Sequence, residues 1–205
     1  MQTLEIHPRD PQPRLLRQAV EKIRAGAVVI YPTDSAYALG CQIGDKAALE
    51  RIRSIRRLDD RHNFTLMCRD LSELSSYAVV DNASYRLLRA HTPGPYTFIL
   101  KATAEVPRRL LHPKRKTIGL RVPDNRVALA LLAELDEPIM SVTLVMPGEE
   151  LPLADTEEMR ERLGNAVDLL IDGGGCGLEP TTVVDLSGSA PVVLRQGKGR
   201  SAAFD

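Results

Sequence analysis

The pattern of apolar and polar positions along the chain predicts helices and short strands in close alternation. Apolar residues recur at helical spacing from Leu15 to Ile23, and Gly26 follows where a C-terminal cap would lie. Residues 27–31 form an apolar, partly β-branched run that ends at Pro32, which predicts a buried strand. The first predicted elements are therefore a helix and a strand.

Capping residues and turn signals place the remaining predicted elements. Helices are predicted after the N-cap residues Asp45, Asp70, Asp81, Asn125 and either Asp155 or Thr156. Strands are predicted at residues 64–68, 96–101, 117–122, 139–145, 167–171, 182–186 and 192–194, with a helical turn at 107–111. Several connections are short enough for antiparallel neighbours. This succession predicts one domain over residues 1–205, of the α/β class (α+β type), with a twisted mixed parallel/antiparallel sheet flanked by helices.

The charge balance excludes one mechanism of ligand binding. Lys plus Arg and Asp plus Glu each number 27, so affinity for polyanions cannot come from a large global positive charge. The charges are nevertheless segregated. Residues 51–69 hold six basic and two acidic residues, and residues 101–126 hold eight and two, whereas residues 134–172 hold eleven acidic residues and two arginines. A focused basic site in a neutral protein is compatible with this pattern.

Several common functional motifs are absent from the sequence. It contains no G-x-S-x-G, no H-E-x-x-H and no G-x-x-x-x-G-K-[ST], which argues against the usual hydrolase, zinc protease and P-loop chemistries. The three cysteines are widely separated and the four histidines share no ligand spacing, so we expect neither a disulfide nor a metal site. Without a spanning apolar run or a targeting pattern, we expect a cytoplasmic protein that does not engage membranes.

Hydroxyl and guanidinium side chains recur at or near the ends of the predicted strands. Because ligands bind beyond strand ends in open sheets, these side chains could form one site for phosphate and carboxylate oxygens. The alternative interpretation is that serine and threonine are simply common in strands. The residues concerned are Thr33, Ser35, Thr65, Thr97, Arg121, Ser141, Thr143, Thr181, Thr182 and Arg195.

Five blocks of sequence carry a family resemblance. They are residues 31–40 (YPTDSAYALG), 63–74 (NFTLMCRDLSEL), 92–100 (TPGPYTFIL), 117–123 (TIGLRVP), and 179–185 with 192–197 (EPTTVVD and VVLRQG). In this order they resemble the YrdC-like family, and more closely its YciO branch. The resemblance implies a three-layer fold with a positively charged concave cavity. It also implies kinship with enzymes that make L-threonylcarbamoyl-adenylate from ATP, L-threonine and bicarbonate for tRNA modification, with Mg²⁺ accompanying the ATP.

The resemblance implies a role for each matching position. Thr33 would contact the threonine moiety with Tyr37 beside it, and Arg121 would clamp the amino-acid carboxylate bidentately. Thr65 and Thr97 would line the carbamoyl and phosphate region. The nucleotide-binding residues would be Arg56, Ser141, Thr143, Thr181 and Arg195, and the catalytic residues Arg56, Arg121 and Ser141. The protein would then act by positioning the reactants and neutralising charge.

Two positions depart from the family pattern. The Lys-x-Arg pair of the synthases corresponds here to Arg56 and Leu58, and the asparagine of a Ser-x-Asn element is Thr143. Losing two contacts of roughly 1.5–3 kcal/mol each weakens nucleotide or transition-state binding about a hundredfold to ten-thousandfold. Arg57 and Arg61 are nearby cations without the matching register. We therefore expect a weak or diverged synthase, in which Leu58→Arg with Thr143→Asn increases synthesis.

A second interpretation is a module that binds double-stranded RNA or tRNA and lacks synthase activity. Residues 51–69 and the basic segment 112–117 would supply its phosphate contacts, and its binding would fall steeply with salt.

Under the enzyme interpretation, Arg121→Ala is expected to abolish activity and leave the melting temperature nearly intact.

Overall fold

The computed structural model describes residues 1–59, 62 and 64–204, so Arg61 and the motif residue Asn63 lie outside the described residues. Within them, ten strands form one sheet in the order β1-β8-β2-β3-β7-β4-β6-β5-β9-β10. The strands are β1 (Gln2–Glu5), β2 (Val29–Tyr31), β3 (Ala38–Gln42), β4 (Thr65–Met67), β5 (Tyr96–Lys101), β6 (Thr117–Arg121), β7 (Ile139–Thr143), β8 (Leu169–Asp172), β9 (Thr182–Asp185) and β10 (Val192–Arg195). Parallel and antiparallel pairs both occur, which confirms the predicted mixed sheet.

The helices begin where the sequence predicts. They are α1 (Pro13–Arg24), α2 (Lys46–Arg56), α3 (Leu71–Tyr77), α4 (Asn82–His91), α5 (Arg126–Leu135) and α6 (Thr156–Leu163), with a 3-10 turn at Arg108–Leu110. In five of these six helices a side-chain oxygen of the N-cap residue accepts from a backbone N–H three residues on, which satisfies a donor that the first turn leaves unpaired. The caps are Asp45, Asp70, Asp81, Asn125 and Asp155. No helix in the described ranges is long and apolar enough to cross a membrane.

Two strands were not predicted from the sequence. β3 pairs antiparallel with both β2 and β7, and it is buried on both faces, so it shows no alternation of apolar and polar residues. Its Gly40 is required by close packing, because a Cβ there would lie 2.6 Å from Ile139 and 2.9 Å from the Tyr31 ring. β1 is four residues long and pairs in parallel with β8, far along the chain. Neither strand has a local signal.

Helices pack on both faces of the sheet and create two apolar cores. On one face, residues of α2, α3, α4 and α6 pack against the strand side chains that point to that face, including Leu66, Phe98 and Leu120. On the other face, α1 and α5 pack over Val29 and Ile139. The molecule therefore has the predicted three layers, with apolar side chains between each pair.

The second face of the sheet is the one that forms the functional site. Strand alternation puts Tyr31, Met67 and Ile139 on this face, under α1 and α5. Farther along the same face, toward β9 and β10, the side chains are Thr97 and Val183, and they line a cavity. The two helices cover one end of the face and leave the other end for a ligand.

Candidate functional site

A cavity of about 540 Å³ lies over six neighbouring strands of the sheet, β7, β4, β6, β5, β9 and β10. Its size suits a nucleotide-sized ligand. Strand register brings its floor together: Thr65 of β4 lies opposite both Gly119 of β6 and Ser141 of β7. Residues of loops and strand ends form the rim. The lining residues are Arg56, His62, Phe64, Thr65, Thr97, Ile99, Gly119, Ser141, Val142, Thr143, Val145, Glu150, Pro152, Pro180, Thr181, Val183, Leu194 and Arg195.

Hydroxyl groups form much of the cavity floor, and several are held in fixed orientations. The hydroxyls of Thr97 and Thr181 are 2.9 Å apart and hydrogen-bonded. The buried Tyr31 hydroxyl donates to Ser141 Oγ at 2.7 Å, and burial raises the pKa of Tyr31, so it remains a neutral donor. These hydrogen bonds orient the floor oxygens before a ligand arrives, which lowers the entropy lost on binding.

Gly119 keeps the centre of the floor open. A Cβ at this position would lie 3.0 Å from Thr65 Oγ1 and 3.3 Å from both the Phe64 carbonyl oxygen and Thr97 Cγ2. Any larger side chain would project into the space between these groups. The glycine of the Thr-Ile-Gly-Leu-Arg block is therefore needed for access to the floor.

Two arginines place positive charge at the rim. Arg195 donates from Nε and Nη2 to the Thr181 carbonyl at 3.2 and 3.0 Å, and Arg56 has a buried Nε with no hydrogen-bond partner. In the part of the chain that the structure describes, neither pairs with a carboxylate, and burial lowers the pKa of both guanidinium groups. Both remain charged, since arginine is protonated throughout the physiological range. An anionic ligand would supply the missing acceptors.

Arg121 lies in a separate recess of about 30 Å³ that shares Thr65, Thr97 and Ser141 with the cavity. Its Nη2 donates to the Asp34 carboxylate and, at 3.3 Å, to Thr33 Oγ1. Both charged side chains are less than a tenth exposed. Asp34 Oδ2 and Arg121 Nε are buried without a hydrogen-bond partner, so the pair is incompletely satisfied. Asp34 was assigned no role from the sequence, although it belongs to the quoted YPTDSAYALG block.

Thr33 and Tyr37 are not among the described residues that line the cavity or the recess. Thr33 Oγ1 accepts from the backbone N–H groups of Ser35 and Ala36 and donates to the Ala36 carbonyl, which folds its loop around Arg121. The Tyr37 hydroxyl donates to the Gly174 carbonyl at 2.7 Å. In this structure Thr33 supports Arg121, and Tyr37 holds the loop that contains the three successive glycines 173–175. Direct contact of either residue with threonine stays a prediction that this geometry does not favour.

The structure corrects the expected effect of removing Arg121. Because Arg121 is buried and paired with Asp34, Arg121→Ala would leave a buried carboxylate without its counter-ion. The melting temperature is therefore expected to fall. Leu58 also has a packing role: it lies against the larger apolar core, so Leu58→Arg would place a charge on apolar side chains. Thr143 lines both cavity and recess and is the better position for a gain-of-activity test.

Many arginines of the two basic stretches are paired within the fold. Arg51 donates to the Asp168 carboxylate at 2.7 Å, and Arg69 pairs with Asp136. Arg115 of the 112–117 segment donates to Asp185 at 3.2 Å. These ion pairs reduce the positive charge that the stretches would offer to RNA phosphates. RNA binding stays a prediction, and the described residues do not favour it.

Binding of Mg²⁺ together with ATP stays a prediction, for which the described lining of the cavity supplies one carboxylate. No group of three or more histidine, cysteine, aspartate or glutamate side chains with metal-ligand geometry occurs in the described ranges. Glu150 is the carboxylate that lines the cavity among these residues. Mg²⁺ is commonly held by one or two carboxylates together with substrate phosphates. Glu150 is the residue that would contact a magnesium ion carried in by ATP.

The sequence also matches a known protein family. Residues 21–197 match the Sua5_yciO_yrdC family model, described as "Telomere recombination". The chain is therefore a member of the Sua5/YciO/YrdC family.

Individual relatives place the chain within that family. The uncharacterized protein YciO of Escherichia coli (strain K12) is 60% identical over 199 residues, 97% of each chain. The crystal structure of E. coli YciO matches with a TM-score of 0.96 and 59% identity, covering 99% of this chain and 98% of that one. A threonylcarbamoyl-AMP synthase of Nitrosococcus oceani is 33% identical over 159 residues, 77% of this chain and 85% of that one. P. abyssi Sua5 complexed with L-threonine matches with a TM-score of 0.87 and 26% identity, over 96% of this chain and 58% of that one.

Proposed function

We propose that the cavity and recess bind ATP and L-threonine, and that the chain is a weak or diverged L-threonylcarbamoyl-adenylate synthase. The observation that carries this proposal is a pair of arginines, Arg56 and Arg195, that have no acid partner among the described residues and lie beside an ordered hydroxyl floor. Such a set recognises phosphate oxygens. The synthase relative at 33% identity and the relative crystallised with L-threonine support the same chemistry.

The cavity and the recess suit different anionic groups of the two reactants. The cavity over Thr97 and Thr181, with Arg195 at its rim, is suited to the nucleotide. The recess beside Arg121, at about 30 Å³, has room for a carboxylate and not for a whole amino acid. The threonine carboxylate would enter it, since a guanidinium can hold a carboxylate with two hydrogen bonds, and the rest of the molecule would lie in the cavity. Because Ser141 lines both spaces, its hydroxyl lies at the boundary where the two reactants would meet.

In the proposed reaction the protein positions the reactants and forms no covalent bond with them. The threonine amine attacks bicarbonate to form a carbamate with loss of water. A carbamate oxygen then forms a bond to the α-phosphorus of ATP, and the bond from that phosphorus to the bridging oxygen breaks, which releases pyrophosphate. Arg56 and Arg195 would offset the charge that accumulates on the phosphate oxygens. A magnesium ion that accompanies ATP would supply further positive charge when bound.

Three features of this chain explain why the activity would be weak. Leu58 is partly buried against the larger apolar core and contributes no charge to the cavity. Thr143 offers a hydroxyl where the resemblance implies an asparagine. Arg121 is partly neutralised by Asp34, so a substrate carboxylate must share it or displace the aspartate. Each feature reduces the attraction of the site for its anionic reactants.

The direct test is a synthesis assay. Protein is incubated with ATP, L-threonine and labelled bicarbonate, and pyrophosphate and a labelled adenylate are measured, with D-threonine as the control substrate. Slow formation of both products with L-threonine is expected, and Thr143→Asn is expected to increase the rate. No product at high protein concentration, together with salt-sensitive binding of duplex RNA, would contradict the proposal and favour the RNA-binding alternative.

A further inference from the structure

The segment after β10 runs back across the site and is held there firmly. The Lys198 backbone N–H donates to the Pro180 carbonyl at 2.9 Å, and the Gly197 N–H donates to Thr182 Oγ1 at 3.0 Å. Gly199 packs on the Tyr96 ring so closely that a Cβ there would lie 2.4 Å from it. Phe204 is buried against the same ring. The backbone of Lys198 is therefore fixed on both sides, next to a wall of the cavity.

From this position the exposed Lys198 side chain reaches the backbone of Asp34, the neighbour of Ser35, which lines the recess. Its Nζ donates to the backbone carbonyl of Asp34, the residue whose carboxylate pairs with Arg121. The Cys176 thiol lies next to the same loop, with its Sγ 3.5 Å from the Thr33 carbonyl oxygen. The charges of Asp34, Lys198 and Arg121 all act on this thiol. Burial raises the pKa of the Cys176 thiol to about 11; the charge of Asp34 adds to this effect, and the charges of Lys198 and Arg121 oppose it. One aspartate and two cations therefore converge on a small volume.

The charge balance of this cluster depends on Lys198. Arg121 and Asp34 together carry no net charge, so on their own they attract a carboxylate only weakly. Adding Lys198 gives the three residues a net charge of one positive unit. The family model ends at residue 197, so Lys198 lies immediately beyond the matched region.

We propose that Lys198 is a binding residue that makes the Arg121 recess selective for a ligand with a carboxylate, the class to which an α-amino acid belongs. This inference rests on the proposed function, because it takes Arg121 as the group that holds the amino-acid carboxylate. The lysine also holds the backbone carbonyl of Asp34, which fixes the loop that carries the acidic partner of Arg121.

Calorimetric titration with L-threonine and with L-threoninamide, which lacks the carboxylate charge, tests this role. The ratio of the two affinities measures recognition of the carboxylate. Lys198→Met is expected to lower that ratio about tenfold, as the loss of one nearby charge-assisted interaction does. Lys198→Arg is expected to retain most of it, and the difference is expected to shrink at high salt. Lys114→Met, which removes another exposed lysine, is the matched control and leaves the ratio unchanged.

The possible failures can be told apart. If Lys198→Met keeps the wild-type ratio while the wild-type protein prefers L-threonine, the role of Lys198 is overturned and the proposed function stands. If the wild-type protein binds neither ligand, the proposed function and this inference both fall. If Lys198→Met and Lys198→Arg lose binding equally, the lysine is required for its packing and not its charge, and the inference is overturned.

Discussion

The two cationic regions on this face of the sheet differ in how their charge is balanced. In the recess, Arg121 is buried and paired with Asp34 inside the protein. At the cavity rim, Arg195 is more exposed and donates to the backbone carbonyl of Thr181, with no carboxylate partner among the described residues. A buried, compensated arginine contributes to the fold as well as to ligand binding, whereas a more exposed arginine that bonds to Thr181 without a carboxylate partner contributes less to the fold. Substitutions in the two regions should therefore separate stability from binding.

The largest expected effect comes from breaking the buried pair. Arg121→Ala is expected to lower the free energy of unfolding by about 3–5 kcal/mol, because Asp34 would remain buried without a counter-ion. Urea denaturation measures this change. The neutral pair Asp34→Asn with Arg121→Gln is the control, and it is expected to recover much of the lost stability. A single variant as stable as the wild type would show that Asp34 and Arg121 do not form a buried ion pair in solution.

The corresponding change at the rim should weaken binding more than it lowers stability, because Arg195 is more exposed and only its hydrogen bonds to Thr181 are lost from the fold. Arg195→Ala is expected to weaken ATP binding by about 1.5–3 kcal/mol, roughly ten- to a hundredfold, as loss of a charge-assisted contact does. Fluorescence titration and a melting curve measure the two quantities. Arg86→Ala, a change at an exposed arginine of α4, is the control. Unchanged ATP affinity in the Arg195 variant would place the nucleotide elsewhere.

The boundary between the two regions is tested at Ser141. Ser141→Ala is expected to reduce the free energy of unfolding by about 1–3 kcal/mol, because the buried Tyr31 hydroxyl loses its partner. The double variant Tyr31→Phe with Ser141→Ala removes donor and acceptor together and should be nearly neutral in stability. Denaturation of the single and double variants forms a complete cycle. A double variant as unstable as Ser141→Ala would mean that packing, and not the hydrogen bond, is responsible.

The smallest expected effect is a pH dependence at the rim. Burial, and then the positive charge of Arg56, lower the pKa of His62. As the pH falls below about 6.5, the unfolded chain binds a proton that the folded protein resists, so the contribution of His62 to stability is lost. Denaturation at pH 7.5 and 5.5 should show a larger stability loss for the wild type than for His62→Asn. Equal losses would show that His62 is not shielded in solution.

Local signals in the sequence predicted much of the fold. Helix caps such as Asp45 and Asn125 act on N–H groups three residues away, so the neighbouring residues are enough to identify them. β5 matches its predicted span of 96–101, because a run rich in aromatic and aliphatic residues follows Pro95 and ends at the exposed Lys101. Some of the hydroxyl residues predicted to share a site line one cavity, namely Thr65, Thr97, Ser141, Thr143 and Thr181, whereas Thr33, Ser35 and Thr182 do not. Their positions followed from strand ends and from the family resemblance.

What only the tertiary structure decided is the partner of each site residue. Arg121 pairs with Asp34 across 87 residues of sequence, and Tyr31 reaches Ser141 across 110. Both contacts depend on a strand order in which β3 and β7, one of them not predicted, lie between β2 and β4. Thr33 and Tyr37 were assigned to threonine from the family resemblance, yet in the fold their hydroxyls serve the backbone. Periodicity and capping act over a few residues, so the sequence displays them directly. Ion pairing and access to a cavity depend on distances that exist only after the sheet has assembled.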